Sequence, residues 1–97
     1  MLRIVVSPRA QADIVDIAAY ALDHWGDRQM ERYVDGLHAR FVSLARHPET
    51  GRRRDEIRRG YRSIVHGSHI VFYRLTRRDL AIVRALHGRM GPERHIS

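Results

Sequence analysis

No pair of residues constrains this chain more than Gly67-Ser68, because the runs on either side of it both read as strands. Residues 61–66 and 69–76 are rich in β-branched and aromatic side chains, among them Ile64, Val65, Ile70, Val71, Phe72 and Tyr73. A glycine at the first central position is what a two-residue type II′ turn needs, since that position has positive φ. The turn dictates a register. With His66 opposite His69, Ile64 faces Val71, Arg62 faces Tyr73 and Tyr61 faces Arg74. One side of the hairpin then carries Arg62, Ile64, Val71, Tyr73 and Leu75, and the other Tyr61, Val65, Ile70, Phe72 and Arg74. Neither side alternates with polar residues as a half-exposed antiparallel sheet should, so each face needs a cover. Residues 76–79 turn the chain into a third strand over 80–87, which completes a meander.

The covers must come from the first half. Residues 2–6 form a short strand. Ser7-Pro8 then opens a helix, with serine at the N-cap and proline at N1, where a missing N–H costs nothing. Ile14, Ile17, Ala18, Ala21, Leu22 and Trp25 recur at helical spacing, so Pro8–Trp25 is amphipathic. Gly26 stops it, and Asp27 is expected to cap a second helix over 28–47. That helix carries a stripe of Met30, Tyr33, Val34, Leu37, Phe41, Leu44 and Ala45, and Pro48 ends it. A joint of about two residues makes the pair an antiparallel αα-hairpin. Trp25 is expected to anchor the helix end, with Tyr20, Tyr33 and Phe41 in or near the core. The expected fold is α+β: an N-terminal strand and an αα-hairpin packed on a mainly antiparallel sheet that the C-terminal three-stranded meander completes. The hairpin covers one face. Residues 47–60 and 88–97 read as polar segments with isolated apolar residues such as Ile57, Met90 and Ile96, so the second face is expected to lack a cover and to require a partner.

Ninety-seven residues make a single domain, 1–97, with one core. Absence of cysteine removes disulfides and thiolate metal sites. No membrane-length apolar run and no signal peptide is visible, so a cytoplasmic location is expected, with no membrane partner. Charge is unevenly placed. Residues 1–50 hold six Arg against seven Asp or Glu, net −1, whereas 51–97 hold twelve Arg against four, net +8. All eighteen basic residues are Arg, whose planar fork suits carboxylate and phosphate. A basic sheet half implies an acidic partner, either nucleic acid or an acidic protein.

Motifs for nucleotide binding, zinc proteolysis and serine hydrolysis are absent. His66 and His69 flank the turn but lack a third ligand, so no metal or other cofactor is expected. Tyr61, Arg62, Arg74, Arg84, His87 and Arg89 form the richest set. It admits three readings. In a metal-independent ribonuclease, arginines would hold a phosphate while His87 moved a proton. In a binding protein, the same residues would anchor an acidic segment. In a purely structural role, Arg74 and Arg84 would pair with acidic helix residues or lie along the sheet edge.

At these residues the chain resembles the ParE branch of the RelE/ParE toxin superfamily. The resemblance lies in SPRAQADIVDIAAY, HWGDRQMERYVDGL, HPETGRRRDEIRRGYRSIVHGSHIVFYRL and IVRALHGRM, in order and over nearly the whole chain. It implies the toxin of a type II toxin–antitoxin system, of the kind linked to growth arrest and plasmid stabilisation. ParE-type toxins are associated with inhibition of DNA gyrase, and a ParD-like antitoxin wraps them with its acidic C-terminal segment. RelE relatives are instead ribosome-dependent mRNA endoribonucleases. Their fuller basic or tyrosine set is not matched here, which favours a non-enzymatic toxin, with the endoribonuclease as the alternative. Direct nucleic-acid binding is not expected. The expected target- or partner-binding residues are Arg58, Tyr61, Arg62, Arg74, Arg84, His87 and Arg89, with Val71, Phe72 and Met90 as apolar contacts.

Overall fold

The computed structural model describes residues 1–96, so the last residue of the C-terminal segment lies outside the described part. In chain order the elements are β1 (Arg3–Val6), α1 (Pro8–Trp25), α2 (Asp27–Arg46), a 3-10 turn (Pro48–Thr50), β2 (Arg52–Arg53), β3 (Tyr61–His66), β4 (His69–Leu75), β5 (Asp79–His87) and α3 (Pro92–His95). The strands form one mixed sheet in the order β1-β5-β4-β3-β2. The α+β architecture of helical hairpin and mainly antiparallel sheet is therefore as expected, with β1 added parallel to β5.

The Gly67-Ser68 hairpin has the register read from its turn, from His66 opposite His69 to Tyr61 opposite Arg74. Gly67 has φ +55°, and among the described residues no residue other than glycine, Ser68 included, has positive φ, as type II′ geometry requires. A Cβ at Gly67 would also lie 2.6 Å from the Tyr33 ring, so α2 presses directly on the turn. The β4–β5 pair contains a bulge between Phe72 and Tyr73, which leaves Val83 as the extra residue between Ile82 and Arg84.

α1 begins as the Ser7-Pro8 pair dictates: the Ser7 hydroxyl accepts the Ala10 N–H at 3.1 Å. Gly26, at φ +84°, ends α1 and also occupies the N-cap position of α2. Asp27 is thus not the cap that was expected. It is the first residue of α2, where its charge favours the helix N-terminus without a capping bond. Ala10, Ile17, Leu37, Phe41, Leu44 and Ala45 pack on Val71, Tyr73, Leu80, Ile82 and Ala85 to form the main core. Burying each of the larger side chains contributes about 1.5–3 kcal/mol. Trp25 departs from its expected role: it is 51% exposed, with its ring against Tyr20 and Tyr33, and Tyr20 is itself exposed.

Residues 47–60 are more ordered than a polar loop. Tyr73 organises them from the core: its hydroxyl donates to the Pro48 carbonyl at 2.8 Å and accepts the Gly51 N–H at 2.9 Å. Gly51 has no Cβ to obstruct that approach. The chain then runs as β2 along the edge of β3.

The second sheet face corrects the expectation that it lacks a cover. Tyr61, Phe72 and Leu86 are 7%, 2% and 1% exposed, and Ile96 packs among them at 6%. Ile57, Ile70 and Val83 join the cluster, and the Arg54 guanidinium lies 5.3 Å from the centre of the Phe72 ring. Short turns deliver these covers. The Ile57 N–H donates to Arg54 O at 3.0 Å, and the Ile96 N–H to Pro92 O at 2.8 Å. Two apolar residues that look stray in the sequence are thereby brought onto the sheet. Val65 remains 58% exposed near the hairpin turn.

Candidate target- and partner-binding surface

The ten candidate residues separate into three groups. Four are built into the fold. Val71 is fully buried in the main core and Phe72 lies under Arg54, so neither presents the exposed apolar contact that was expected. Alternation explains Val71, because its side of the hairpin is the side the helices cover. Arg62 donates to the carbonyls of Gly51 at 2.8 Å and Glu49 at 3.3 Å, holding the 3-10 turn against β3.

Arg84 is the fourth, and it is closely neutralised. Its guanidinium donates to both carboxylate oxygens of Asp13 on α1, each at 2.8 Å, and to the His95 carbonyl at 2.7 Å. The Asp13 carboxylate also accepts the Ala85 N–H at 2.9 Å. β1 ends at Val6, so from there onward the edge of β5 must be satisfied by other groups. Ser7 supplies its N–H to Ile82 O and its hydroxyl to Val83 O, and Asp13 takes the next N–H. The pairing to Asp13 raises the Arg84 pKa above its ordinary value and holds the charge.

His87, Arg89 and Met90 form the second group, at the far end of β5. His87 is exposed, its Nδ1 accepts the Arg89 N–H at 3.1 Å, and its ring centre lies 5.5 Å from that of His69. Met90 is 37% exposed. His69 faces α2, where its Nδ1 meets the Tyr33 hydroxyl at 2.6 Å. Burial, then the neighbouring His87 and His66, push the His69 pKa below its usual value. The same hydroxyl donates to His66 O at 2.8 Å, and burial raises the Tyr33 pKa. Among the described residues no group of three or more His, Cys, Asp or Glu could hold a metal ion.

Arg58, Tyr61 and Arg74 form the third group, together with Arg59, which the sequence reading passed over despite its place beside Arg58. They line a cleft of about 420 Å³ at the other end of the sheet. Arg74 is exposed and has no ion pair among the described residues. Along β5, Ala81 is level with Arg74 and His87 with His69. The six-residue offset places the second and third groups about 20 Å apart. A second cleft, of about 320 Å³, has Pro8, Val83 and Ile96 in its walls beside Arg9 and Arg84.

His87 and Arg84 leave opposite faces of β5, as their pairing with His69 and Phe72 requires. This separation could have been read from their odd spacing. Asp13, off the apolar stripe of α1, was the sequence signal for Arg84's partner.

A mixed sheet under one helical hairpin, with a cationic cleft at one end, defines a small basic α+β domain. Comparison with known proteins makes the class specific. The family model described as "ParE toxin of type II toxin-antitoxin system, parDE" matches residues 4–92. The chain is 41% identical over 95 residues to Toxin ParE1 of Mycobacterium tuberculosis (strain ATCC 25618 / H37Rv), covering 97% of each chain. It is 40% identical over 91 residues to Toxin ParE1 of Caulobacter vibrioides, covering 94% of each. A solved structure titled "Chromosomal ParDE TA system from P. aeruginosa" shares the fold, with a TM-score of 0.77, 17% identity, and coverage of 90% of this chain and 96% of that one. The chain belongs to the ParE toxin family of type II toxin–antitoxin systems.

Proposed function

We propose that this ParE-family toxin arrests growth in the cytoplasm by binding DNA gyrase, with no catalysis of its own. A ParD-like antitoxin, through an acidic C-terminal segment laid across the basic half of the sheet, neutralises it. The observation that carries the non-catalytic reading is the separation of His87 from Arg84. A ribonuclease of the kind considered above needs a proton-transfer group and several available arginines at one phosphate. Here the two side chains leave opposite strand faces, and Asp13 already holds the guanidinium. Arg89 is left as the exposed arginine beside His87, whereas Arg59 and Arg74 lie at the far end of the sheet, in a cleft suited to recognition.

Two assays test this. Purified toxin added to gyrase and supercoiled DNA should inhibit supercoiling or accumulate cleaved DNA. Ribosomes programmed with mRNA should keep their message intact, with the parent chain and with His87→Ala alike. Codon-positioned cuts that disappear in His87→Ala would replace this reading with the endoribonuclease, and an unresponsive gyrase would remove the target.

A further inference from the structure

Two clefts of opposite chemistry border the cluster that Ile96 closes on the second sheet face. Val83 and Ile96 line the first, and Tyr61 lines the second. Two of the polar side chains lining the first cleft, Ser7 and Arg84, are already engaged, and Arg9 is exposed beside it. Ser7 donates to Val83 O and accepts from Ala10, and Arg84 is held by Asp13 and the His95 carbonyl. Its volume of about 320 Å³ is at the small end of the range of binding cavities, which starts near roughly 300 Å³. It therefore suits one or two apolar side chains. The second cleft is lined by three arginines and a tyrosine and suits anions.

Their spacing follows from the register. Tyr61 pairs with Arg74, and Arg74 with Ala81, two residues before Val83. Crossing two strand spacings and two residues along a strand gives about 12 Å, the span of three or four residues of extended chain. We propose that this face docks one extended segment of a partner protein, with an apolar side chain in the cleft beside Ile96 and carboxylates three or four residues away on Arg59 and Arg74. A nucleic-acid strand would answer the second cleft and leave the first unfilled. The proposal rests on the reading above, in which an acidic segment crosses the sheet, and adds to it which side chains the segment must carry and at what spacing.

The test uses the full chain and a labelled peptide with one leucine, three serines and four glutamates in that order, followed by fluorescence anisotropy. Saturable binding is expected. It should weaken tenfold or more when the peptide leucine becomes asparagine, when the chain carries Arg74→Glu, or when the serine spacer is removed. Val83→Thr, which keeps the side-chain shape, should weaken the leucine peptide and leave the asparagine peptide unchanged. Arg32→Glu on α2 controls for net charge and should have little effect. Absence of saturable binding, equal binding of leucine and asparagine peptides, or equal loss from Arg32→Glu and Arg74→Glu would overturn the proposal. Rescue of growth by a co-expressed antitoxin is read separately. Rescue without discrimination among the peptides removes only the docking geometry, whereas toxicity that no antitoxin relieves removes the reading beneath it.

Discussion

Replacing Asp13 with alanine tests the account of the β5 edge most directly. The carboxylate accepts two bonds from Arg84 and one from the Ala85 N–H, all between 2.8 and 2.9 Å. The Arg84 and Asp13 side chains are only 14% and 12% exposed. Removing one partner of a buried pair costs about 3–5 kcal/mol, because the other charge is left without compensation. Residual water access and alanine's better helix propensity, worth about 0.5 kcal/mol, put the expectation at the lower end, about 3 kcal/mol. For a domain of this size that is a fall in Tm of about 10–20 °C. Urea denaturation followed by circular dichroism reads the change directly. The companion is Asp13→Leu with Arg84→Met, which removes both charges and keeps apolar volume. It should cost less than either single charge removal. A loss below about 1 kcal/mol for Asp13→Ala, or strict additivity in the double variant, would refute the view that this pair closes the sheet edge.

Gly67→Ala should destabilise by about 2 kcal/mol or more, since φ is +55° and the new methyl meets Tyr33; Gly60→Ala, at φ +87° with open space around it, should cost about 1 kcal/mol. Tyr73→Phe should cost about 1–3 kcal/mol in the same denaturation assay, because the buried Gly51 N–H loses its acceptor. The His69 pKa is lower in the folded chain than in the unfolded one, where it is near 6.5. The folded state therefore resists protonation: stability should be fully present above about pH 6.5 and fall as pH drops through that value towards the depressed one. A series of Tm measurements across this window should flatten in His69→Gln, and an unchanged slope would count against His69 as its source. His66, His87, Tyr33 and the more distant Asp13 are the other groups acting at this corner.

What the sequence disclosed depended on how local the cause was. Gly67-Ser68 determines its strands through one backbone angle, and the whole β3–β4 register followed. Ser7-Pro8 and Gly26 set the limits of α1 in the same way. Periodicity could not show where a lone apolar residue ends up. Ile57 and Ile96 were visible, yet their place on the second face depends on turns that bring distant segments together. Nor could it show which arginines were engaged. Arg62 and Arg74 are equally charged in the sequence, but Arg62 faces the carbonyls of Glu49 and Gly51 while Arg74 faces the cleft.

The internal pairing of charge bears on how such a surface recognises a partner. In the second half of the chain, Asp55, Glu56 and Asp79 are already matched by Arg53, Arg54 and Arg3, and Arg84 takes its counter-charge from Asp13. The basic excess is therefore not relieved where it is concentrated, and on the function proposed above the acidic segment that meets it comes from another chain. Exposed ion pairs contribute only about 0–1 kcal/mol each, so Arg59 and Arg74 alone would hold such a segment weakly and in a salt-sensitive way. Burying one leucine-sized side chain contributes about 1.5–3 kcal/mol and is indifferent to salt. On the docking proposed above, the two clefts divide the labour: the cationic end would attract and orient an acidic chain, and the apolar cleft beside Ile96 would decide which acidic chain stays.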